Sequence, residues 1–270
     1  MQDYGSMKPG ELRQLIRDKR ITCHTSGMAA GYAQANLVIL PNEYADDFME
    51  YTRLNPAPCP VLEVLRHTPY TRIMADGANI LTDIPEYRVY RYGKLCDVCS
   101  DVSGIWQEDM TGFLIGCSFS FEEALIKSGI EMRHIAMNRN VPMYKTNIMT
   151  VPYGAFSGPT VCSMRPMTMQ QAMLAARITA AMPNVHGAPI HIGSPDKLGI
   201  ADIMKPDYGD PVDIRSGEVC VFWPCGVTPQ AAIENAKPPL VITHSPGHMF
   251  ITDILNSELN GVLEAQKKAR

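Results

Sequence analysis

Several absences narrow the reading of this chain before any motif is considered. It has no excess of basic charge: 24 Lys and Arg against 28 Asp and Glu leave a formal net charge of −4 over 270 residues, so the electrostatic footprint of a nucleic-acid binder is missing. No apolar run reaches the roughly 18 residues of a membrane span. The start, Met1-Gln2-Asp3-Tyr4-Gly5-Ser6-Met7, lacks a basic region followed by an apolar one, so no secretory signal is read and a cytoplasmic address is expected. There is no internal repeat, no low-complexity segment, and no acidic cluster of the kind that holds a hard metal. Cys96-x-x-Cys99 has redox or zinc spacing, but no second such pair completes a zinc site. Without a signal, the eight cysteines (23, 59, 96, 99, 117, 162, 220 and 225) read as reduced thiols. No cofactor and no metal are expected.

What is present is a chain of ordinary globular composition, long enough for one large or two modest domains. Its seventeen Met are most simply core filler. Its centre is the stretch 113–125. Phe113-Leu114-Ile115 reads as a buried strand that breaks at Gly116, and Cys117, Ser118 and Ser120 follow. Ser120 and Glu123 have the spacing of a capping box, which predicts strand, tight turn, helix. Free N–H groups at that helix start suit an anion. Most such units only support a fold, and both readings stand.

Around this centre, residues 8–17 predict a helix and 34–40 a strand, with Gln34 and Asn36 as two amides at its entrance. Asn42 is placed to cap the next helix, which ends before Asn55-Pro56. Residues 60–65 read as a strand and 87–91 as a hairpin arm. Beyond Gly129 the pattern changes. Residues 130–135, 146–150 and 160–164 read as strands, Thr168 and Gln171 cap a helix to about Met182, and 188–192 is a further strand. From about 196 strand and helix alternate again: a strand over 218–223, a helix over 229–236 capped by Thr228, a strand over 240–243, and a last helix carrying Ile254, Leu255 and Leu259. The expected fold class is α/β with two domains. A main three-layer α/β domain (1–129 and 196–270) carries a smaller two-layer α+β domain (130–195) inserted into it.

Four strands end in small or polar residues. Ile115 leads into Gly116-Cys117-Ser118, Trp223 into Pro224-Cys225-Gly226-Val227-Thr228, Thr243 into His244-Ser245-Pro246-Gly247-His248, and Ile190 into His191-Ile192-Gly193-Ser194. In open α/β sheets ligands bind beyond the carboxyl ends of strands, so these tips are expected to share one crevice. Each residue also has a plain structural reading. His244 and His248 are four apart, but Pro246 and Gly247 argue against a helical metal motif. His186 and His191 flank Gly187 and Pro189, where one of them can simply cap a loop. Arg165 ends an apolar strand, where its charge needs a carboxylate from the protein or from a ligand. Cys117 is a nucleophile only if the helix start lowers its pKa. Glu122 and Glu123 suit the helix dipole and read as structural.

The same residues resemble a known family, that of the D-glutamate cyclases, also described as hydro-lyases. The matching segments are 31–41, 113–122, 140–147, 156–159, 163–167, 185–193, 223–230 and 242–253, in order over nearly the whole chain. The resemblance implies a two-domain α/β fold and the interconversion of D-glutamate with 5-oxo-D-proline and water. It carries over no catalytic residues, so the assignments rest on chemistry. Lactam formation needs a base for the amine, an acid for the departing hydroxide, donors for the oxyanion and an anchor for the α-carboxylate. His244 and His248 are the expected acid–base groups, with His191 in reserve. Cys117 and Ser118 belong to the oxyanion turn, and Cys117 is a lower-ranked nucleophile. Arg165 is the expected clamp, helped by Asn36 and Ser157. Gln34, Ser120, His186, Cys225 and Thr228 complete the expected substrate wall. The partner is a small-molecule carboxylate, with no nucleic acid and no membrane, and self-association into a homo-oligomer is left open. A non-catalytic sensor of such an acid is the alternative, and a metal-dependent lyase using His244, His248 and Cys225 a third.

Overall fold

The computed structural model describes residues 4–268. The strands, in chain order, are β1 (Tyr32–Pro41), β2 (Val61–Arg66), β3 (Tyr87–Arg91), β4 (Lys94–Cys99), β5 (Met110–Gly116), β6 (Met143–Met149), β7 (Pro159–Thr168), β8 (His191–Ile192), β9 (Glu218–Pro224), β10 (Val241–His244) and β11 (Phe250–Leu255). The helices are α1 (Pro9–Arg17), α2 (Asn42–Leu54), α3 (Phe119–Lys127), α4 (Arg133–Ala136), α5 (Met169–Ala180), α6 (Thr228–Ala236) and α7 (Leu259–Lys268). The protein is thus mixed α/β, with two sheets and seven α-helices among the described residues.

One sheet runs β2-β5-β1-β10-β3-β4, with β11 also on β1; the other runs β6-β7-β9-β8. Every pairing between these strands is antiparallel. The rule for carboxyl ends of parallel strands therefore does not apply as expected. β1 is buried along nearly its whole length, a pattern more usual in parallel sheets. Here an antiparallel sheet is covered twice. Leu37 and Ile39 join one apolar cluster, Val38 and Leu40 another, as the strand period of two requires.

The edge of β1 opposite β5 explains the position of the central loop. β10 pairs with Val38 and Ile39, and β11 pairs with Gln34 and Ala35. These are two halves of one interrupted strand. Between them the chain leaves the sheet as a loop from Ser245 to Met249, next to Asn36 and Leu37. Because β5 and β10 both run antiparallel to β1, their tips at Gly116 and His244 point to the same end of the sheet.

Several expectations change. Residues 130–135 form no strand; they lead into the short α4, with Ile130 and Met132 packed in the core. Ile254 and Leu255 lie in β11 rather than in the last helix, because pairing with β1 decides for strand. β9 lies in the second sheet beside β7, so residues 218–224 do not rejoin the main sheet. Asn42 opens α2 without capping it, and Pro41 holds the cap position. The Thr168–Gln171 capping box forms as expected. The Ser120–Glu123 box does not: Ser118 is the cap residue, and the Ser120 hydroxyl accepts the Gln34 N–H at 2.9 Å. One continuous core includes Leu37 and Leu114 of the first sheet with Trp223 and Val221 of the second. No helix among the described residues is long and apolar enough to cross a membrane.

Candidate active site

The tip of β5 is fixed by close backbone contacts. A side chain at Gly116 would collide with the Asn184 carbonyl, and one at Gly226 with the Asn36 amide. Asn36 Nδ2 donates to the Gly116 carbonyl at 2.7 Å, so this amide braces the strand end. The turn beyond it places Cys117 beside Cys225, Val227 and Met249 in one apolar cluster. The Phe119 N–H reaches Cys117 Sγ at 3.5 Å, and the Ser120 N–H bonds the Cys117 carbonyl. The N–H groups of Cys117 and Ser118 lie between the end of β5 and the start of α3.

Arg165 is fully buried and is paired within the protein. Its Nε donates to Glu122 Oε1 at 3.0 Å, Nη1 to Ser163 Oγ at 2.9 Å and Nη2 to Ser118 Oγ at 3.1 Å; Nη2 also meets Glu122 Oε1. The guanidinium lies 5.1 Å from the Phe121 ring centre and 5.6 Å from that of Trp223. The even choice between protein and ligand carboxylate resolves to the protein: Glu122, read as structural, neutralises Arg165. Such a pair is costly to break on one side. His134 Nε2 lies 3.2 Å from the same Glu122 oxygen, and its ring stacks on Phe119. Burial pushes the Glu122 carboxyl up, but His134 and Arg165 outweigh it and hold the group well below its usual value, so it stays ionised.

The 245–249 loop is pinned by two other segments. The Thr25 N–H donates to the Gly247 carbonyl at 2.9 Å, and its hydroxyl donates to Gln34 Oε1 at 2.8 Å and accepts the Met249 N–H at 3.0 Å. Asn140 Nδ2 donates to the Pro246 carbonyl at 2.9 Å, while its backbone N–H binds Asp210. These contacts bring His24 and His248 together. Burial lowers the pKa of His24, as do His248 and His134, against the opposing pull of Asp210 and Glu122. Burial also lowers that of His248, opposed by Glu86. Both rings are only half-buried and can be reached.

His244 behaves differently. At the break in the sheet the Leu37 N–H has no strand partner and donates to His244 Nδ1 at 3.0 Å. Nδ1 also lies 3.2 Å from the Leu37 carbonyl: accepting the N–H leaves the ring proton on Nε2, whereas donating to the carbonyl keeps it on Nδ1. Burial, outweighing the contact with the Leu37 carbonyl, pushes the ring down to about 3. His244 is therefore neutral near pH 7, and so weak a base does not suit the expected role of general base.

A set of buried polar atoms on these segments has no hydrogen-bond partner among the described residues: His24 Nδ1, Glu122 Oε2, Asn140 Oδ1, His244 Nε2 and Ser245 Oγ. Each such atom costs about 1–3 kcal/mol if nothing binds it. These five lie on the segments that meet at the β5 tip and the 245–249 loop, which makes that region the candidate site. A cavity of about 220 Å³ adjoins it, lined among others by Met28, Gln34, Phe119, Glu122 and Ile135. A larger cleft of about 320 Å³, bordered by Met49, Arg53 and Pro183, lies away from these groups.

The other expected site residues divide clearly. Cys225 lies in the cluster with Cys117, but burial pushes its thiol up to about 11. Burial likewise pushes Cys117 far above its usual value despite the Phe119 N–H, which argues against the thiolate that a nucleophile needs. Gln34 is committed to Thr25 and Met28 and holds the 25–28 loop. Thr228 donates to the Cys225 carbonyl at 2.7 Å and accepts from Val161, bracing α6 from its first turn and leaving its N-terminus uncapped. His186 is buried behind the β5 tip with Nδ1 on the Ala57 carbonyl; burial sets it at about 4. His191 sits on β8, bonded to the Ser194 carbonyl and stacked on Phe222. Ser157 lies in the β6–β7 connection, its carbonyl held by Asn235. His24, Glu122, His134, Asn140 and Asp210 were not expected here. Only Glu122 carried a local signal, through its place in the first turn of α3. Among the described residues no group of three or more His, Cys, Asp or Glu is placed to hold a metal ion.

Comparison with known proteins adds an independent observation. The profile of the family described as D-glutamate cyclase matches residues 111–253, which take in α3, Arg165 and the 245–249 loop. A Bacillus licheniformis protein named "Putative hydro-lyase" is 55% identical over 258 residues, covering 95% of this chain and 98% of its own. A Clostridium beijerinckii protein of the same name shows the same identity and coverage. The "Putative hydro-lyase YcsI" of Bacillus subtilis is 54% identical, over 94% of this chain and 99% of its own.

Proposed function

Since the chain belongs to the D-glutamate cyclase family, we propose that it interconverts D-glutamate with 5-oxo-D-proline and water at the site around His24, Glu122 and His248. In the forward direction the amine nitrogen bonds the side-chain carboxyl carbon, the C–O bond to hydroxide breaks, and the proton lost by the amine leaves with that hydroxide as water. His248, beside His24, takes the ammonium proton and gives it to the departing oxygen of the side-chain carboxylate, so that the oxygen leaves as hydroxide and the second proton lost by the nitrogen completes the water. Depressed pKa values leave both rings neutral near pH 7, the form that accepts a proton. The N–H groups of Cys117 and Ser118 and, in its Nε2–H tautomer, His244 are the donors assigned to the oxyanion. Glu122 and Arg165 act through position, by fixing Ser118 and His134.

The concentration of unpartnered buried polar atoms carries this reading, since it supplies donors and acceptors of the kinds the reaction needs. A smaller unit built on the β6-β7-β9-β8 sheet, which β9 extends beyond the expected limit at residue 195, and a cytoplasmic address belong to the same proposal. The test is incubation of purified protein with D-glutamate and, separately, with 5-oxo-D-proline, followed by mass spectrometry. Conversion in either direction is the expected result; binding of either acid without conversion would favour a sensor.

A further inference from the structure

The proposed reaction needs an anchor for the substrate's α-carboxylate, and Arg165 is already spent on Glu122. Arg88 has the opposite character. It lies on β3 opposite Thr243, one residue before His244. It is half-buried, yet no carboxylate lies within ion-pair distance of it among the described residues. Arg13 and Arg133, also buried, are each paired with Asp or Glu. The Arg88 guanidinium stands 5.7 Å from the Tyr208 ring centre. Lys145 approaches the same ring at 5.8 Å, but its charge is taken by Glu234 at 3.1 Å. Tyr208 in turn packs against the cluster that holds Cys117, Cys225 and Met249. A guanidinium that meets the Tyr90 hydroxyl but no carboxylate is thereby held at the rim of the site, near enough to His244 and His248 for its charge to disfavour their protonation.

We propose that Arg88 binds the carboxylate of the substrate that does not react, and so selects small acids over their uncharged analogues. The inference rests on the functional reading above. A guanidinium offers two parallel N–H donors to a carboxylate, and a cation over an aromatic face is already partly desolvated and oriented. The anchored carboxylate would also offset the positive charge of Arg88 beside His248 and so favour proton uptake by that ring.

The test compares binding of 5-oxo-D-proline and of 2-pyrrolidinone, which is the same lactam without its carboxylate, by calorimetry on wild type, Arg88→Met and Arg88→Lys. Wild type should bind the acid and not the neutral lactam. Arg88→Met should bind the acid about 10- to 100-fold more weakly, with an unchanged melting temperature, and Arg88→Lys should recover part of the loss. Equal affinity of wild type and Arg88→Met for the acid would overturn the inference while leaving the functional reading intact. Failure of wild type to bind or convert either acid would instead remove the functional reading on which it rests.

Discussion

At the scale of single residues, side chains that stand out in the sequence and side chains that the site can use are largely different. Cys117 is the most conspicuous group at the β5 tip, but its thiol is buried and held protonated. Cys117→Ser should therefore leave turnover nearly unchanged, and iodoacetamide should not inactivate the native protein. Loss of activity by orders of magnitude in either experiment would restore the thiol as nucleophile. Arg165 was legible as a charge needing a partner, because an arginine ending an apolar strand must be neutralised. Its partner was not legible, because Glu122 lies 43 residues away and its place in a first helical turn already explained it. The two halves of the expected His244–His248 pair separate for a similar reason. One ring fills the gap left by an interrupted strand, and the other stands on the loop.

At the scale of elements, local signals succeeded where local chemistry decides. The capping box at Thr168, the Pro at the first turn of α1 and the hairpin of β3 and β4 all formed. They failed where a distant partner decides. Ser120 has the spacing of a box but gives its oxygen to Gln34, and Ile254 and Leu255 follow β1 into the sheet. The strand tips converge through two antiparallel neighbours of β1 and through tight contact between Gly226 and Asn36, neither visible in the order of the chain. Gly226→Ala forces a methyl group into that amide and displaces the brace on Gly116. A loss of about 1–3 kcal/mol is expected, read by urea unfolding. Unchanged stability would mean that Asn36 is not held as described.

At the scale of the whole molecule, fold class was legible in outline, and strand direction and sheet membership were not. A strand buried on both faces looks the same in sequence whether its neighbours run parallel or antiparallel. The shared core of the two sheets also explains why β9 could not be assigned from alternation alone. Buried titrating groups make stability depend on pH in one direction. His186 and His244 are held at about 4 and about 3, chiefly by burial, against an ordinary 6.5. Below pH 6.5 the unfolded chain binds protons that the folded chain refuses, so stability falls as pH drops toward the folded values. Glu122 extends the trend, since its contribution is full above its ordinary 4.5 and is lost as pH falls below that. Each histidine should add a slope of about 1.4 kcal/mol per pH unit in its window. Urea titrations between pH 8 and 4 should show a plateau followed by a steepening decline, and a flat profile would contradict the burial of these rings.

The central claim is that His248, beside His24, moves the proton in a reaction that makes and breaks water. Incubation of 5-oxo-D-proline in ¹⁸O-labelled water tests it most directly, because hydrolysis places the label in the side-chain carboxylate of the D-glutamate formed. Labelled D-glutamate is the predicted product of the wild-type protein, formed at least about 100-fold more slowly by His248→Ala. Absence of labelled product with wild type, or equal rates in the two proteins, would contradict the claim.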